Sequence, residues 1–248
     1  MLAASEGGVL TATLNRPDKR NAIDGEMIEA VLALLERAEL DAEVRVVALR
    51  GAGSDFCAGM DLGELLRSAD RTVEENRRAA LRFAEIFLAM RRLPKPIVAV
   101  VHGRALAGGA GLATACDLVL ATESAQFGYP EVQRGFVPAI VMALLKRSLG
   151  EKVAFDLAAT GRIVTASEAA ALGLVSRVYE DSDFEEQAGE VVRALAASSA
   201  SALALTKQQF YQLDGLGFEE GLRLGADVNA VSRTTPDFRA ALQAFLKK

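Results

Sequence analysis

The fold is decided by residues 95–117, which read Lys95-Pro-Ile-Val-Ala-Val-Val-His-Gly-Arg-Ala-Leu-Ala-Gly-Gly-Ala-Gly-Leu-Ala-Thr-Ala-Cys-Asp117. Because residues 97–101 are apolar, rich in β-branched side chains and too few to cross a membrane, we predict a buried central strand there. Gly108, Gly109 and Gly111 follow, and their missing Cβ atoms let the chain bend sharply and let another group approach their N–H groups. If residues 112–116 form a helix, the unpaired N–H groups at its start favour a negative charge. The stretch therefore predicts a strand, a glycine-rich turn and an anion-binding site.

Other interpretations of these glycines stay open or are weaker. Glycines at a strand-to-helix turn often serve close packing alone. A Rossmann dinucleotide fingerprint is a poor match, because residues 109–114 lack its third glycine and no mononucleotide-type βαβ unit opens the chain. A membrane span is interrupted by His102, Arg104 and Asp117. Close packing and anion binding are the two uses that remain.

Composition limits the class of protein. The 248 residues are 51% hydrophobic and carry a net charge of -5, which suits one domain or a core with an appendage, and argues against nucleic acid or an anionic membrane as partner. Cys57 and Cys116 are too few for a disulfide framework, and one histidine leaves no metal-ligand cluster. Residues 1–6 resemble no secretory signal, so we expect a cytoplasmic protein.

Strands and helices are predicted on both sides of the opening stretch. Apolar runs predict strands at residues 9–14, 44–49, 118–121 and 174–178. Capping residues and helical spacing predict helices that begin at Asp24, Thr72, Pro138, Thr165, Asp183, Ala202, Phe218 and Thr235. Because only helices follow residue 183, we predict a β/α core to about residue 190 and a helical region after it.

The buried faces of these helices follow from their apolar spacing. In the first helix the face is Met27, Val31, Leu34, Leu35 and Ala38, in the second Ala80, Phe83, Phe87 and Met90, and in the last Leu242, Phe245 and Leu246. The helix from Pro138 to Leu149 is apolar nearly all round, so we expect it to be buried.

Several short motifs, weak singly, together resemble one family. They are Asn15-Arg-Pro with Asn21-Ala22, Phe56-Cys-Ala-Gly-Met-Asp61, Lys95-Pro-Ile-Val-Ala-Val-Val-His-Gly103, Ala105-Leu-Ala-Gly-Gly-Ala-Gly-Leu112, Cys116-Asp117, Gln126-Phe-Gly-Tyr-Pro-Glu131, Gly161-Arg162 and Leu172-Gly-Leu-Val175. In this order and spacing the whole chain resembles the crotonase superfamily, the enoyl-CoA hydratase/isomerase proteins. The resemblance implies an α/β fold in which ββα turns form a spiral core, residues 1–190. It implies a C-terminal helical region, residues 191–248, that builds homotrimers, often paired into hexamers.

The resemblance also implies an acyl-CoA substrate whose thioester oxygen lies between the backbone N–H groups of Met60 and Gly108. Such donors stabilise the enolate-like transition state formed when a proton leaves or joins the neighbouring carbon. Hydratases of the family use two glutamates, which would fall on Gly111 and Glu131 here. A further acid of related isomerases and dehalogenases would fall on Ala139. One carboxylate, Glu131, therefore remains, and its alternative role is that of a solvated loop residue.

Contacts with the rest of the substrate are implied at further positions. They are Lys19, Arg20, Ala22, Ala58, Asp61, Leu62, Gly109, Gly111 and Pro130, with Phe245 and Lys248 reaching the nucleotide of a neighbouring subunit. Lys19 and Arg20 are equally consistent with an ordinary solvated turn. Asp61 and Asp117 suit structural roles in turns, and neither cysteine has a histidine placed by sequence to activate it. Met60 and the helix from Thr72 to Met90 are expected to line the acyl tunnel.

Three functions are consistent with these residues. An enoyl-CoA hydratase, in which Glu131 gives the α proton while water attacks the β carbon, ranks slightly first on its frequency in the family. A 3-enoyl to 2-enoyl-CoA isomerase ranks first on residue chemistry, because one base suffices. A binding protein without turnover is the third. No separate cofactor and no metal are expected, since coenzyme A is part of the substrate.

Overall fold

The computed structural model describes residues 1–247. Its strands are β1 (Leu2–Glu6), β2 (Val9–Leu14), β3 (Val46–Gly51), β4 (Ile97–Val101), β5 (Arg104–Leu106), β6 (Leu118–Thr122), β7 (Gln126–Gly128), β8 (Ile163–Thr165) and β9 (Arg177–Tyr179). Its α-helices are α1 (Gly25–Leu40), α2 (Leu62–Ser68), α3 (Val73–Arg92), α4 (Gly108–Ala115), α5 (Ala139–Ser148), α6 (Glu151–Thr160), α7 (Ala166–Leu172), α8 (Phe184–Ala197), α9 (Ala200–Gln212), α10 (Phe218–Ser232) and α11 (Pro236–Leu246). Lys248 lies outside the described residues, and its predicted nucleotide contact stays a prediction.

The central strand is β4, with the bounds predicted from the sequence. All five of its residues are buried, because both faces of the sheet are covered. Ile97, Ala99 and Val101 belong to the main core with α1 and α3, whereas Val98 and Val100 pack in a second cluster under α8. Burial on both faces explains why this strand is continuously apolar rather than alternating.

The sheets confirm the predicted spiral. The first has the order β1-β2-β3-β4-β6-β9, parallel except for the antiparallel β1-β2 pair, and the second has the order β5-β7-β8. After β4 the chain enters the second sheet as β5 and then forms α4, and after β6 it enters it as β7. The turn after β3 does the same in reduced form, because Cys57 bridges to Ala105 in parallel. Each turn therefore ends at the same side of the molecule.

Capping predictions are confirmed at several helix starts. Asp24 accepts the N–H of Met27 at the start of α1, and all five residues of its predicted stripe are buried. Thr72 and Glu75 form the full capping box of α3. At the start of α3, however, Ala80 is exposed, because this half of the helix borders a cavity instead of the core.

Two helix predictions are wrong. The helix predicted at 112–116 begins at Gly108, so its glycines lie inside it. Close packing overrides the low helix propensity of glycine, because a Cβ atom on Gly109 would lie 2.3 Å from the carbonyl oxygen of Cys57. The helix predicted from Pro138 buries only Val141 and Leu145 of its ten residues, because one face packs and the other borders the cavity and solvent.

Two strands begin two and three residues later than predicted. The strand predicted at 44–49 spans Val46–Gly51, and the one predicted at 174–178 spans Arg177–Tyr179. Leu174 and Val175 are buried as predicted but lie in the loop after α7, so their apolarity reflects core packing rather than a strand.

The C-terminal helices are held to the core by one charged residue of the opening stretch. Asp117 accepts the N–H of Ile97 at 2.7 Å, the Nζ of Lys207 at 2.7 Å and the hydroxyl of Tyr211 at 2.7 Å. The predicted boundary at residue 190 falls inside α8, whose Val192 packs on the sheet. The predicted apolar face of α11 is exposed in the single chain, with Phe245 at 75%.

No single helix within residues 1–247 is long and apolar enough to cross a membrane, although α8 and the segment Ala200–Gly215, bent by 101°, would together meet the criterion of length and composition.

Candidate active site

The loop after β3 and the start of α4 lie against each other at the edge shared by the spiral turns. Cys57 donates its N–H to Arg104 at 3.0 Å and accepts the N–H of Leu106 at 2.9 Å. Gly59, at φ +97°, continues this contact, because a Cβ atom there would lie 2.8 Å from the Cβ of Ala107 and 3.4 Å from the nitrogen of Gly108. Only glycine fits both the backbone angle and the space.

Two backbone donors lie on either side of this contact. The N–H groups of Met60 and Gly108 have no hydrogen-bond partner in the part of the chain that the structure describes, and both residues line the same cavity. Gly108 is the first residue of α4, so its N–H is one of the free donors of a helix start. Ala107 before it has φ 50° and ψ -125°, a strained conformation that aims this turn. The pair can receive an oxygen that gains negative charge.

The segment that carries Met60 is held from both sides by backbone hydrogen bonds. Ala58 donates to Arg20 at 2.9 Å, Ile23 donates to Gly59 at 2.8 Å, and Asp61 donates to Ile23 at 2.8 Å. These bonds fix the direction of the Met60 N–H without using it.

Arg16 ties the same two segments together through its side chain. Its guanidinium donates to the carbonyl of Ala22 at 2.6 Å and forms ion pairs with Asp24 and Asp61, each at 3.0 Å. The Asp61 ion pair, together with the N–H groups at the start of α2, lowers the pKa of Asp61. In the sequence, Arg16 belongs to a motif but has no assigned role. The only hint of its ion pairs was Asp24, the acidic N-cap of α1, eight residues later.

Replacement of Arg16 by glutamine is expected to lower kcat about tenfold and change KM less, because the Met60 donor loses its alignment rather than the substrate losing a contact. Steady-state kinetics with the acyl-CoA substrate that the sequence predicts measures kcat and KM separately. Arg50→Gln is the control, since Arg50 is similarly exposed (31% against 27%) but pairs with Glu185 on α8. An Arg16→Gln protein with unchanged kcat would show that the contacts of Arg16 with Ala22, Asp24 and Asp61 do not position the N–H of Met60.

Glu131 lies on the short 3-10 helix Pro130–Arg134, which follows β7. It is 8% exposed and lines the cavity with Met60 and Gly108. Its Oε2 is buried and has no hydrogen-bond partner among residues 1–247. Burial raises the pKa of this carboxyl, and the charge of Arg134 opposes the rise. A carboxyl with a raised pKa and an unpaired oxygen, on a residue that lines the cavity, is suited to taking and giving protons.

This raised pKa gives a testable pH dependence of stability. Since the folded protein binds the Glu131 proton more tightly than the unfolded chain does, wild-type stability falls relative to Glu131→Gln as pH rises from about 4.5 through the folded pKa. Above that pKa the variant is expected to have the higher Tm. Thermal unfolding of both proteins between about pH 4 and pH 9 measures the difference. A difference in Tm that does not change with pH would show that the folded pKa is ordinary.

The cavity has a volume of about 610 Å³ and lies between α2, α3 and the start of α5. Its wall consists of Gly25, Ile28, Glu29, Met60, Glu64, Leu65, Ser68, Arg71, Val73, Asn76, Arg77, Ala79, Ala80, Arg82, Phe83, Gly108, Glu131 and residues 136–141. The residues of α3 among them fit the predicted acyl tunnel. Charged groups other than Glu131 come from α1, α2, α3 and the turn between α2 and α3. On the side formed by Met60, Gly108 and residues 136–141, Glu131 alone can ionise.

Gly111 does not line the cavity. A Cβ atom placed on it would lie 2.2 Å from Cγ1 of Val141 and 3.6 Å from Cζ of Phe87, and Val141 itself lines the cavity. Gly109 likewise packs against Cys57. The missing Cβ atoms of these two glycines make room for protein neighbours, and their contact with substrate stays a prediction.

The other predicted substrate contacts lie away from the cavity wall. Lys19 and Arg20 lie in the turn after β2. The residues of this set that are absent from the cavity wall also include Ala22, Ala58, Asp61, Leu62 and Pro130. The side chain of Arg20 is 59% exposed, with Nε 4.0 Å from Asp55. Phe245 is on the exposed face of α11. Sequence reasoning missed about half of the cavity wall, because these residues belong to none of the motifs that carry the resemblance. They are Gly25, Ile28, Glu29, Glu64, Leu65, Ser68, Arg71 and residues 136–138 and 140–141.

Nucleophilic cysteine chemistry is disfavoured. Both cysteines are buried, which raises the pKa of Cys57 to about 12 and that of Cys116 further. His102 contacts the carbonyl of Gly53 through Nε2 at 2.9 Å, and its Nδ1 is buried without a partner within residues 1–247. Over the same range, no three His, Cys, Asp or Glu side chains lie close enough to hold a metal ion.

Comparisons with known proteins agree on one family. A family model described as enoyl-CoA hydratase/isomerase matches residues 4–248. A Thermus thermophilus protein, named provisionally as an enoyl-CoA hydratase, is 44% identical over 248 residues, covering 100% of this chain and 98% of its own. The 1,2-epoxyphenylacetyl-CoA isomerase of Escherichia coli is 32% identical, covering 100% and 95%. The crystal structure of a Mycobacterium smegmatis enoyl-CoA hydratase superposes with a TM-score of 0.95 at 33% identity, covering 99% and 95%.

Proposed function

The chain belongs to the enoyl-CoA hydratase/isomerase family, and from that premise we propose that it isomerises a 3-enoyl-CoA to the 2-enoyl-CoA with Glu131 as its only acid and base. The substrate thioester lies with its oxygen between the N–H groups of Met60 and Gly108. The acyl chain occupies the cavity beside Phe83 and Ile140.

In this mechanism one proton leaves C2 and returns to C4. The ionised Glu131 removes the C2 proton, the electron pair moves onto the thioester oxygen, and the two N–H groups stabilise the resulting charge by about 3 kcal/mol each. The protonated Glu131 then delivers the proton to C4 while the double bond forms between C2 and C3. Nothing is added or lost, so no second acid, water or cofactor is needed. A positioned acid and base contributes about 10²- to 10⁴-fold.

The observation that carries this choice is the closed space beyond Gly111. Hydration with two carboxylates needs an acid there, and Val141 fills the position. A single carboxylate, with no polar side chain beside it on that wall, fits proton transfer within one substrate better than the orientation of a water molecule.

Hydration is the second candidate, and the names of relatives favour it. The short-chain-enoyl-CoA hydratase of Clostridium acetobutylicum is 30% identical over 250 residues, and other relatives carry similar names. In that reaction Glu131 would have to deliver the C2 proton and also activate the water that attacks C3. On family frequency alone, hydratase ranked slightly first; the space that Val141 fills beside Gly111 is the reason that isomerisation is proposed instead.

The test is a paired assay of the purified protein in deuterium oxide. We expect 3-hexenoyl-CoA to become 2-hexenoyl-CoA, and the kcat/KM for crotonyl-CoA hydration to be at least about tenfold lower. Mass spectrometry distinguishes a moved double bond, which adds no oxygen, from a hydroxyl product. Faster hydration than isomerisation would contradict the proposal in favour of a hydratase, and no turnover of either substrate would favour a binding protein.

We also propose that the functional assembly is a homotrimer or a dimer of trimers in the cytoplasm, with acyl-CoA as the ligand and no separate cofactor. Large apolar side chains on the C-terminal helices support the assembly, since Phe218 is 86% and Leu222 61% exposed in the single chain. Light scattering of the purified protein tests the copy number.

A further inference from the structure

Val141 and Gly111 share one space. The distance of 2.2 Å between a Cβ atom on Gly111 and Cγ1 of Val141 is far below any van der Waals contact. Valine has a single stiff side-chain torsion, so it cannot swing aside as the end of a long chain would. Val141 is 3% exposed, and the Cβ position of Gly111 also meets Phe87 at 3.6 Å. Any side chain at 111 must therefore displace Val141.

The same valine separates Gly111 from the cavity. Val141 lines the cavity and Gly111 does not, so a longer side chain at 111 could reach the cavity only through the volume of Val141. Around it, residues 136–140 are Phe, Val, Pro, Ala and Ile, none of which can hold a water molecule by its side chain.

We propose that Val141 is the residue that sets reaction specificity at this site, by filling the space that a second carboxylate at position 111 would need. The inference rests on the proposed function and extends it to one residue. Hydration adds the oxygen of water to C3 and a proton to C2, with the second water proton going to a base. With Val141 in place, that base has no room at position 111, and the apolar side chains of residues 136–141 offer no group to hold that water. Isomerisation needs neither and proceeds.

A thermal cycle tests the shared space without using activity. Gly111→Ala is expected to lower Tm by about 3 °C in the wild-type protein, because the new methyl group collides with Val141. In a Val141→Ala background the same change is expected to lower Tm clearly less, or to raise it, because the 2.2 Å collision with Cγ1 is gone and only the 3.2 Å contact with Cβ of residue 141 remains. Alanine also favours the helix more than glycine does. A change of the same sign and size in both backgrounds would overturn the inference.

An activity test addresses specificity. In Gly111→Glu/Val141→Ala, the ratio of crotonyl-CoA hydration to 3-hexenoyl-CoA isomerisation is expected to rise at least about tenfold over the wild type. The matched control is Gly111→Glu/Val137→Ala, which shortens a cavity valine that does not contact Gly111, and its ratio is expected not to rise. A folded Gly111→Glu/Val141→Ala protein with an unchanged ratio would overturn the proposal.

The two proposals fail in different measurements. The wild-type ratio alone decides between isomerase and hydratase, whereas the change in ratio between the two double variants, together with the thermal cycle, decides the role of Val141. If Gly111→Glu/Val141→Ala does not fold, the alanine cycle still decides whether the two residues compete for one space, because each of its substitutions is small.

Discussion

Glu131→Gln is expected to lower kcat for 3-enoyl-CoA isomerisation about 10³- to 10⁴-fold, because a buried amide can neither take the C2 proton nor return it to C4. Glu131 is the only ionisable group on the wall formed with Met60, Gly108 and residues 136–141, so no neighbour there can replace it. KM is expected to change little, since the thioester is held by backbone donors. Single-turnover kinetics with 3-hexenoyl-CoA measures the chemical step directly.

Glu64→Gln provides the matched control. Glu64 also lines the cavity but lies on α2 rather than on the wall that Glu131 shares with residues 136–141, and it is only half-buried. The kcat of the Glu64→Gln protein is expected to stay within about twofold of the wild-type value. A Glu131→Gln protein that retains one tenth of wild-type kcat, with an unchanged circular dichroism spectrum, would exclude Glu131 as the catalyst.

Gly59→Ala is expected to have the second largest effect, lowering kcat about 10²-fold and reducing Tm. The new methyl group would lie 2.8 Å from the Cβ of Ala107 and 3.0 Å from the carbonyl of Leu106, so the loop with Met60 must move away from Gly108. Displacing one such donor costs roughly 3 kcal/mol of transition-state stabilisation. Steady-state kinetics and thermal unfolding measure the two effects.

Gly173→Ala separates backbone strain from displacement of the donors. Gly173 has φ +94°, close to the +97° of Gly59, but the nearest atom to its Cβ position is 3.9 Å away, at the end of α7. The Gly173→Ala protein is expected to be less stable than the wild type, because alanine is strained in a left-handed backbone conformation, and to keep the wild-type kcat. Equal losses of kcat in both variants would show that the contact between Gly59 and Ala107 has no special part in the reaction.

The sequence was sufficient for the parts of the fold that local chemistry dictates. Residues 97–101 form a strand because five consecutive apolar residues suit a strand covered on both faces, and Asp24 and Thr72 begin helices because their side chains satisfy free N–H groups. The resemblance to the family implied that Met60, Gly108 and Glu131 belong to one site, and in the structure all three line one cavity.

The remaining features depend on contacts between residues distant in the chain. Gly111 could be seen to lack a carboxylate, but only the packing of α5 on α4 shows that Val141, thirty positions later, occupies its space. The glycines at 108–111 predicted a turn because glycine has a low helix propensity, which is a local property. They lie in a helix because Gly109 packs closely against Cys57, a contact that local propensity cannot reveal. The ion pairs of Arg16 with Asp24 and Asp61 likewise depend on the loop that contains Asp61, 45 positions later in the chain.

Two backbone donors and one carboxylate are expected to act on the same thioester, and a crystal structure of the wild-type protein with a saturated acyl-CoA would show whether they do. We predict that the thioester oxygen lies within about 3 Å of the nitrogens of both Met60 and Gly108. We also predict that a carboxylate oxygen of Glu131 lies within about 3.5 Å of the α carbon. A thioester oxygen bound away from these two nitrogens, or a Glu131 side chain turned to solvent, would contradict this mechanism.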